Sequence, residues 1–259
     1  MRVNPAPVVF ITGASSGIGA ALARAYAERG ARLGLLGRNE AALARLAESL
    51  PGEHLTLLAD VSVQAQIADA TRRFVSRFGV PDVVIASAGV SVGTLTEYES
   101  DLADFEQVLR TNLLGMVATF QPFVEPMRRR GSGRLVGIAS VAGIRGLPGA
   151  GAYSASKAGV ISYLESLRVE LHGSGVRVVT IAPGYIRTPM TDVNDYPMPF
   201  LMAPDAAARR MLGMIEAGRR FGVVPWQMAV VARLLAAIPR PVFDRLFSRA
   251  GRKPRGLPL

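Results

Sequence analysis

The chain has 259 residues, enough for one sizeable α/β core, and 49% of them are apolar, which argues against a disordered segment. It has no cysteine and only two histidines, His54 and His172, so a disulfide scaffold and a thiolate metal site are excluded and no metal is expected. The formal net charge is +10, and residues 205–259 alone hold eleven Arg or Lys against three Asp or Glu, a surplus open to nucleic acid, anionic lipid, an acidic partner or plain solvation.

The start, MRVNPAPVVFITG, has no apolar segment ahead of a small-residue cleavage site. No charge-free stretch reaches the roughly 20 residues of a membrane span, and the expectation is a cytoplasmic protein. Val8–Thr12 reads as a first strand, followed by a helical pattern to Arg29 that Gly30 stops. Arg32–Leu36 is a second strand, and Asn39 is placed to cap a helix reaching Leu50. His54–Ala59 is a third strand, Val63–Phe78 a helix closed by Gly79, and Val83–Ser87 a fourth strand. One or two helices fall between 102 and 130. Strands follow at Arg134–Ser140, Val176–Ala182 and Phe221–Val224, with a helix from Ala152 to His172 between the first two. Strands alternating with helices predict an α/β fold with right-handed crossovers: one doubly wound domain on a mostly parallel, seven-stranded sheet. In such a sheet, ligands sit just beyond the carboxyl ends of the strands.

The informative residues follow strands. After the first comes Gly13-Ala14-Ser15-Ser16-Gly17-Ile18-Gly19, a G-x-x-x-G-x-G turn opening a helix. Glycines there permit unusual φ angles and close approach to a pyrophosphate, and a helix N-terminus offers unpaired N–H groups to phosphate. Such a turn can also be purely structural. The second strand leads to Arg38, where an acidic residue would bind the adenosine ribose of NAD; a guanidinium instead matches a 2′-phosphate, which favours NADPH over NADH. Asp60 follows the third strand and can accept from an adenine amino group or cap the next helix, a role for which Ser62 competes.

Ser140 closes a strand, and Tyr153 and Lys157 lie at i and i+4, on one helix face. A free tyrosine, with a pKa near 10, is a poor proton donor or acceptor at neutral pH. A nearby ammonium and an oxidised nicotinamide would both lower it. The 30 basic residues include only two lysines, Lys157 and Lys253, so an interior lysine stands out.

Together, Thr12–Gly19, Asp60, Ser87-Ala88-Gly89, Asn112, Ser140, Tyr153, Lys157 and Pro183–Thr188 resemble the ordered signature of the short-chain dehydrogenase/reductase family, over about residues 6–225. The resemblance implies a Rossmann-type domain and an NAD(P)-dependent oxidoreductase. In it, Tyr153 is the general acid/base, and Lys157 binds the nicotinamide ribose and lowers the tyrosine pKa. Ser140 hydrogen-bonds the substrate oxygen, while Asn112 kinks its helix and holds a water that relays protons to Lys157. The cofactor would run along Gly13, Ser15, Ser16, Gly17, Ile18, Gly19, Arg38, Asp60, Val61, Ala88, Gly89 and Lys157, and on to Pro183, Gly184, Ile186 and Thr188. One position departs: where the family commonly has Asn-Ala-Gly, this chain has Ser87-Ala88-Gly89, which puts the local bracing of the sheet in question. A homodimer or homotetramer is implied by the resemblance alone.

Residues 189–203 include Met190, Tyr196, Met198, Phe200, Leu201 and Met202, suited to an adaptable apolar lid over a hydrophobic carbonyl or alcohol substrate, or to an ordinary surface loop. Residues 226–259 form a helical extension. Met228–Ile238 is apolar apart from Arg233, and Val242, Phe243, Leu246 and Phe247 recur at helical spacing among Asp244, Arg245 and Arg249. This extension could be a subunit interface, a wall of the substrate pocket or a peripheral membrane contact. A non-catalytic dinucleotide-binding regulator or scaffold is the alternative function, but it would be expected to lose some of Asn112, Ser140, Tyr153 and Lys157. No nucleic-acid motif accompanies the charge, and no nucleic-acid partner is expected.

Overall fold

Along the first strand, Val9 and Ile11 are buried on one face and Val8 and Phe10 on the other. A strand buried on both sides needs a helical layer above and below the sheet. Residues 6–259 are described by the structure, a computed structural model; of the N-terminal stretch read above, residues 1–5 lie outside the described residues.

Seven strands run β1 Val8–Thr12, β2 Arg32–Gly37, β3 His54–Leu58, β4 Val83–Ala86, β5 Gly133–Ile138, β6 Val176–Pro183 and β7 Phe221–Val224. They form one sheet in the order β3-β2-β1-β4-β5-β6-β7, with every pair parallel. The order reverses between β1 and β4, which opens the crevice where a doubly wound sheet binds its ligand.

The helices are α1 Gly17–Ala27, α2 Glu40–Ser49, α3 Gln64–Phe78, α4 Asp101–Leu109, α5 Gly115–Arg130, α6 Gly151–Glu170, α7 Pro189–Asp192, α8 Pro204–Glu216, α9 Trp226–Ala237 and α10 Arg240–Phe247. One core joins the sheet to α1, α2 and α8 through Leu22, Leu43, Met211 and Ile215. The other joins it to α3, α5 and α6, where Phe10, Phe74 and Phe123 meet at ring centroid distances of 5.0–6.2 Å. Asn39 caps α2 as expected, its Oδ1 accepting from the Ala42 N–H at 2.9 Å. Neither Asp60 nor Ser62 caps α3, whose N-cap is Val63. The Asp60 carboxylate turns back to accept from the Ser62 N–H and hydroxyl at 2.8 and 2.7 Å, a local turn that competes with capping.

The extension packs on this scaffold. Met228 and Ala232 of α9 are buried with Val141, and a Cβ on Gly184 would lie 2.5 Å from Met228 Cγ. No helix among the described residues is long and apolar enough to cross a membrane.

Candidate active site

A cavity of about 750 Å³ lies along the carboxyl ends of the strands. At one end is the glycine turn. Gly13 has φ +68°, and a Cβ there would meet the Ala88 Cα at 2.8 Å; a Cβ on Gly19 would lie 2.2 Å from the Gly13 carbonyl oxygen. Both positions therefore require glycine for packing, and they hold the start of α1 tightly against the strand ends. Gly13, Ser15, Ser16, Gly17, Ile18 and Gly19 all face the cavity. The backbone is thus brought as close to the crevice as a pyrophosphate needs, and the residues present fit a dinucleotide.

Ser87 follows β4, and the bracing there comes from Thr12. Its hydroxyl accepts from the Ser87 and Ala88 N–H groups at 3.2 and 3.3 Å. The β1 and β4 ends are therefore tied together without an asparagine side chain. Ala88 and Gly89 reach the cavity wall, as do Asp60 and Val61 beyond β3.

Arg38 stands at the rim with its side chain 49% exposed, its Nη1 3.6 Å from Asp60 Oδ2. Burial alone would raise the Asp60 carboxyl. The Ser62 N–H and hydroxyl, with the Arg38 guanidinium, outweigh it and hold that carboxyl below the usual range.

The chemistry end is built from β5 and α6. β5 stops at Ile138, two residues short of the expected strand end, because the chain turns into a short 3₁₀ segment. Ser140 caps that segment, its hydroxyl accepting from the Ala142 N–H at 3.1 Å. Tyr153 and Lys157 occupy the first turns of α6, with the Lys157 Nζ 5.8 Å from the centre of the Tyr153 ring. Lys157 is 4% exposed and donates to the Ile138 carbonyl at 2.8 Å. Burial pushes its ammonium down to about 8. The expected lowering of Tyr153 is not what the protein alone produces. Burial pushes the phenol up, and the neighbouring Ser140 hydroxyl pulls against that. A low-dielectric site disfavours the phenolate as it disfavours the ammonium, and at Tyr153 burial is the larger influence.

Asn112 is fully buried in a single π-helical turn, Arg110–Leu114, that joins α4 to α5. Such turns recur at functional sites. Its Oδ1 accepts from the Val90 N–H at 2.8 Å, and its Nδ2 donates to the Val90 carbonyl at 2.9 Å and to Ser156 Oγ at 3.0 Å. The side chain thus clamps the segment after β4 onto α6, and it does not itself line the cavity.

Pro183, the last residue of β6, and Gly184, Ile186 and Thr188 beyond it form another wall. Thr188 starts α7 with a capping box, its N–H donating to Thr191 Oγ1 at 2.9 Å. Of the lid residues, Met190 reaches the cavity. Tyr196 packs edge-on to Tyr185, Met202 pairs with the backbone of Tyr185 and Arg187, and Phe200 and Leu201 face solvent. Val90, Thr111, Pro258 and Leu259 also line the cavity. None of the four belongs to a motif; the one compositional pointer to the last two is Lys253 nearby, the second of the two lysines.

The short chain dehydrogenase family profile matches residues 7–196. An uncharacterized oxidoreductase of Myxococcus xanthus is 40% identical over 239 residues, covering 91% of this chain and 94% of that protein. Levodione reductase of Leifsonia aquatica is 37% identical over 235 residues, covering 88% and 87%. The crystal structure of a 3-oxoacyl-[acyl-carrier protein] reductase with bound NAD from Brucella melitensis superposes with a TM-score of 0.74 at 30% identity, covering 86% of this chain and 91% of that one. The chain belongs to the short-chain dehydrogenase/reductase family, and it is an oxidoreductase that interconverts an alcohol and a carbonyl with NAD(P).

Proposed function

We propose that this protein reduces the carbonyl of an apolar substrate to the alcohol with NADPH, and that Tyr153 delivers the proton. The observation that carries this reading is the convergence of Ser140, Tyr153 and Lys157 on the cavity that the glycine turn and Thr188 also line. The nicotinamide, when bound, supplies the hydride to the carbonyl carbon. The Ser140 hydroxyl donates to the carbonyl oxygen as charge develops on it. The Tyr153 O–H then transfers its proton to that oxygen, and the Lys157 ammonium is positioned to stabilise the phenolate left behind. Burial disfavours that phenolate beforehand, which keeps Tyr153 protonated and ready to act as an acid. Asn112 is a positioning residue that fixes Val90 and Ser156 around the two reacting side chains.

The cofactor preference rests on Arg38. Among the described residues, its half-exposed guanidinium has a single ion-pair contact, 3.6 Å to Asp60, and a 2′-phosphate offers it a better forked partner. Val90, Met190, Pro258 and Leu259 at the substrate end favour an apolar substrate. In the extension, the inner face of α9 supports the pocket-wall role, since it backs Gly184. Its outer row, Trp226, Val230 and Leu234, is exposed and suits a second subunit of a homo-oligomer.

Fluorescence titration of NADPH and NADH into wild type and Arg38→Ala tests the reading. Wild type binds NADPH more tightly, and Arg38→Ala loses about tenfold in NADPH affinity with little change for NADH, as expected for one charge-assisted contact. Equal or tighter binding of NADH by wild type would overturn the 2′-phosphate assignment.

A further inference from the structure

Beyond α10 the chain runs back across the substrate end of the cavity. Gly251 lies against Tyr196, where a Cβ would sit 2.6 Å from the tyrosine Cβ. Lys253 is buried, 8% exposed, and its Nζ donates to the Met190 carbonyl at 2.7 Å and to Asn194 Oδ1 at 3.3 Å. That fastens the segment to the bank that carries α7. On the other bank, the Gly93 N–H donates to the Pro254 carbonyl at 2.8 Å, and a Cβ on Gly93 would lie 2.1 Å from the Lys253 carbonyl oxygen. Arg255 then grips Asp101 with both arms, Nε to Oδ2 at 2.7 Å and Nη2 to Oδ1 at 2.8 Å, and its guanidinium lies 3.5 Å from the centre of the Tyr98 ring. The Asp101 side chain is only 7% exposed and also accepts from the Leu95 N–H at 2.9 Å. Leu257 and Leu259 pack with Val92, Val108 and Ala152, and Pro258 and Leu259 reach the cavity wall that Tyr153 and Ser140 share.

Residues 253–259 are thus anchored on two banks and bring Pro258 and Leu259 to the wall of the cavity that Ser140 and Tyr153 also line. A forked ion pair on a carboxylate that is 7% exposed is an expensive anchor to build unless its geometry is fixed, and here both carboxylate oxygens are matched. The segment lies outside residues 7–196, the part of the chain that the family profile describes.

We propose that residues 253–259 are a strap that closes the substrate end and selects compact, untethered ketones over carbonyls carried on a protein. The proposal rests on the reductase reading above. A substrate tethered to a carrier has to leave an arm running out of the cavity, past the wall that Pro258 and Leu259 form. An untethered ketone has no such arm and is enclosed by the apolar side chains of the strap, away from water.

The test compares ethyl 3-oxobutanoate with the same 3-oxobutanoyl group on acyl carrier protein, in steady state with NADPH. Wild type has a kcat/KM for the ester at least about tenfold above that for the carrier-linked group. Arg255→Ala shifts that ratio toward the carrier-linked substrate by about tenfold, mainly through KM, with the NADPH Kd unmoved and with partial restoration in Arg255→Lys. Removing Arg255 leaves the buried Asp101 carboxylate without its counter-charge and endangers folding, so the double variant Asp101→Asn/Arg255→Gln is measured alongside. Equal use of both substrates by wild type, or an unmoved ratio in every folded variant, overturns the strap and leaves the reductase reading standing. Reduction of neither substrate by a wild type that binds NADPH overturns the reductase reading, and the strap falls with it.

Discussion

The two ends of the cavity are built by different means. The cofactor end is made of backbone: glycines in a seven-residue turn, a helix N-terminus and one threonine that ties two strand ends together. The substrate end is made of side chains brought from three separate stretches, near 90–101, 185–202 and 253–259. Backbone geometry tolerates no substitution where a Cβ has no room, whereas side-chain walls can be rebuilt one residue at a time. That difference fits a common cofactor at one end and a substrate peculiar to each protein at the other.

The comparison can be broken from the cofactor side first. Gly19→Ala drives a Cβ into the Gly13 carbonyl oxygen, 2.2 Å away. The fold loses about 1–3 kcal/mol, as overpacking typically costs. By displacing the turn, the variant weakens NADPH by more than about tenfold, while the order of preference among ketones stays as in wild type. Urea unfolding and cofactor titration measure the two effects. An undiminished NADPH affinity would mean that the turn is not the phosphate cradle.

Lys157 sharpens the contrast by pH. Its ammonium is pushed from 10.5 down to about 8 by burial. The folded state therefore gives up the proton first, and the unfolded chain holds more protons between about pH 8 and 10.5. Stability consequently carries the full burden of the buried charge below about 8 and rises as pH climbs through that window. Lys157→Met removes the burden and flattens the rise, by on the order of 2–3 kcal/mol. Unfolding free energies measured at intervals from pH 7 to 10.5 decide it, and parallel curves for wild type and variant would contradict the assignment.

The same contrast governs what could be read without coordinates. The seven strands, the glycine turn and the Asn39 cap were legible because each is written in a few adjacent residues: an apolar run, a helix-start signal or a stop. Among the strands and helices, the differences fall at element ends. β5 stops at Ile138 because Ser140 makes its own turn, and Val63 takes the cap that Asp60 and Ser62 gave up by bonding each other. The order and spacing of Ser140, Tyr153 and Lys157 point to one cavity, which all three line, but the upward push on the tyrosine is not written there, because burial is a tertiary property. The strap was invisible for the same reason: Arg255 meets Asp101 across 154 positions, and Lys253 meets Met190 across 63. Its single local trace was compositional. Only two lysines stand in this arginine-rich chain, and the second, Lys253, is buried like Lys157 and donates to the Met190 carbonyl.

The most direct measurement follows the hydride itself. Wild type and Tyr153→Phe are incubated with ethyl 3-oxobutanoate and NADPH deuterated at the transferable C4 position, and the alcohol is examined for deuterium at its carbinol carbon. The account predicts one deuterium per turnover with wild type and a rate about 10²- to 10⁴-fold lower with Tyr153→Phe, the usual worth of a general acid, while NADPH binding persists. Label transfer at equal rates in both proteins would contradict the role given to Tyr153, and alcohol formed without label would contradict the reaction.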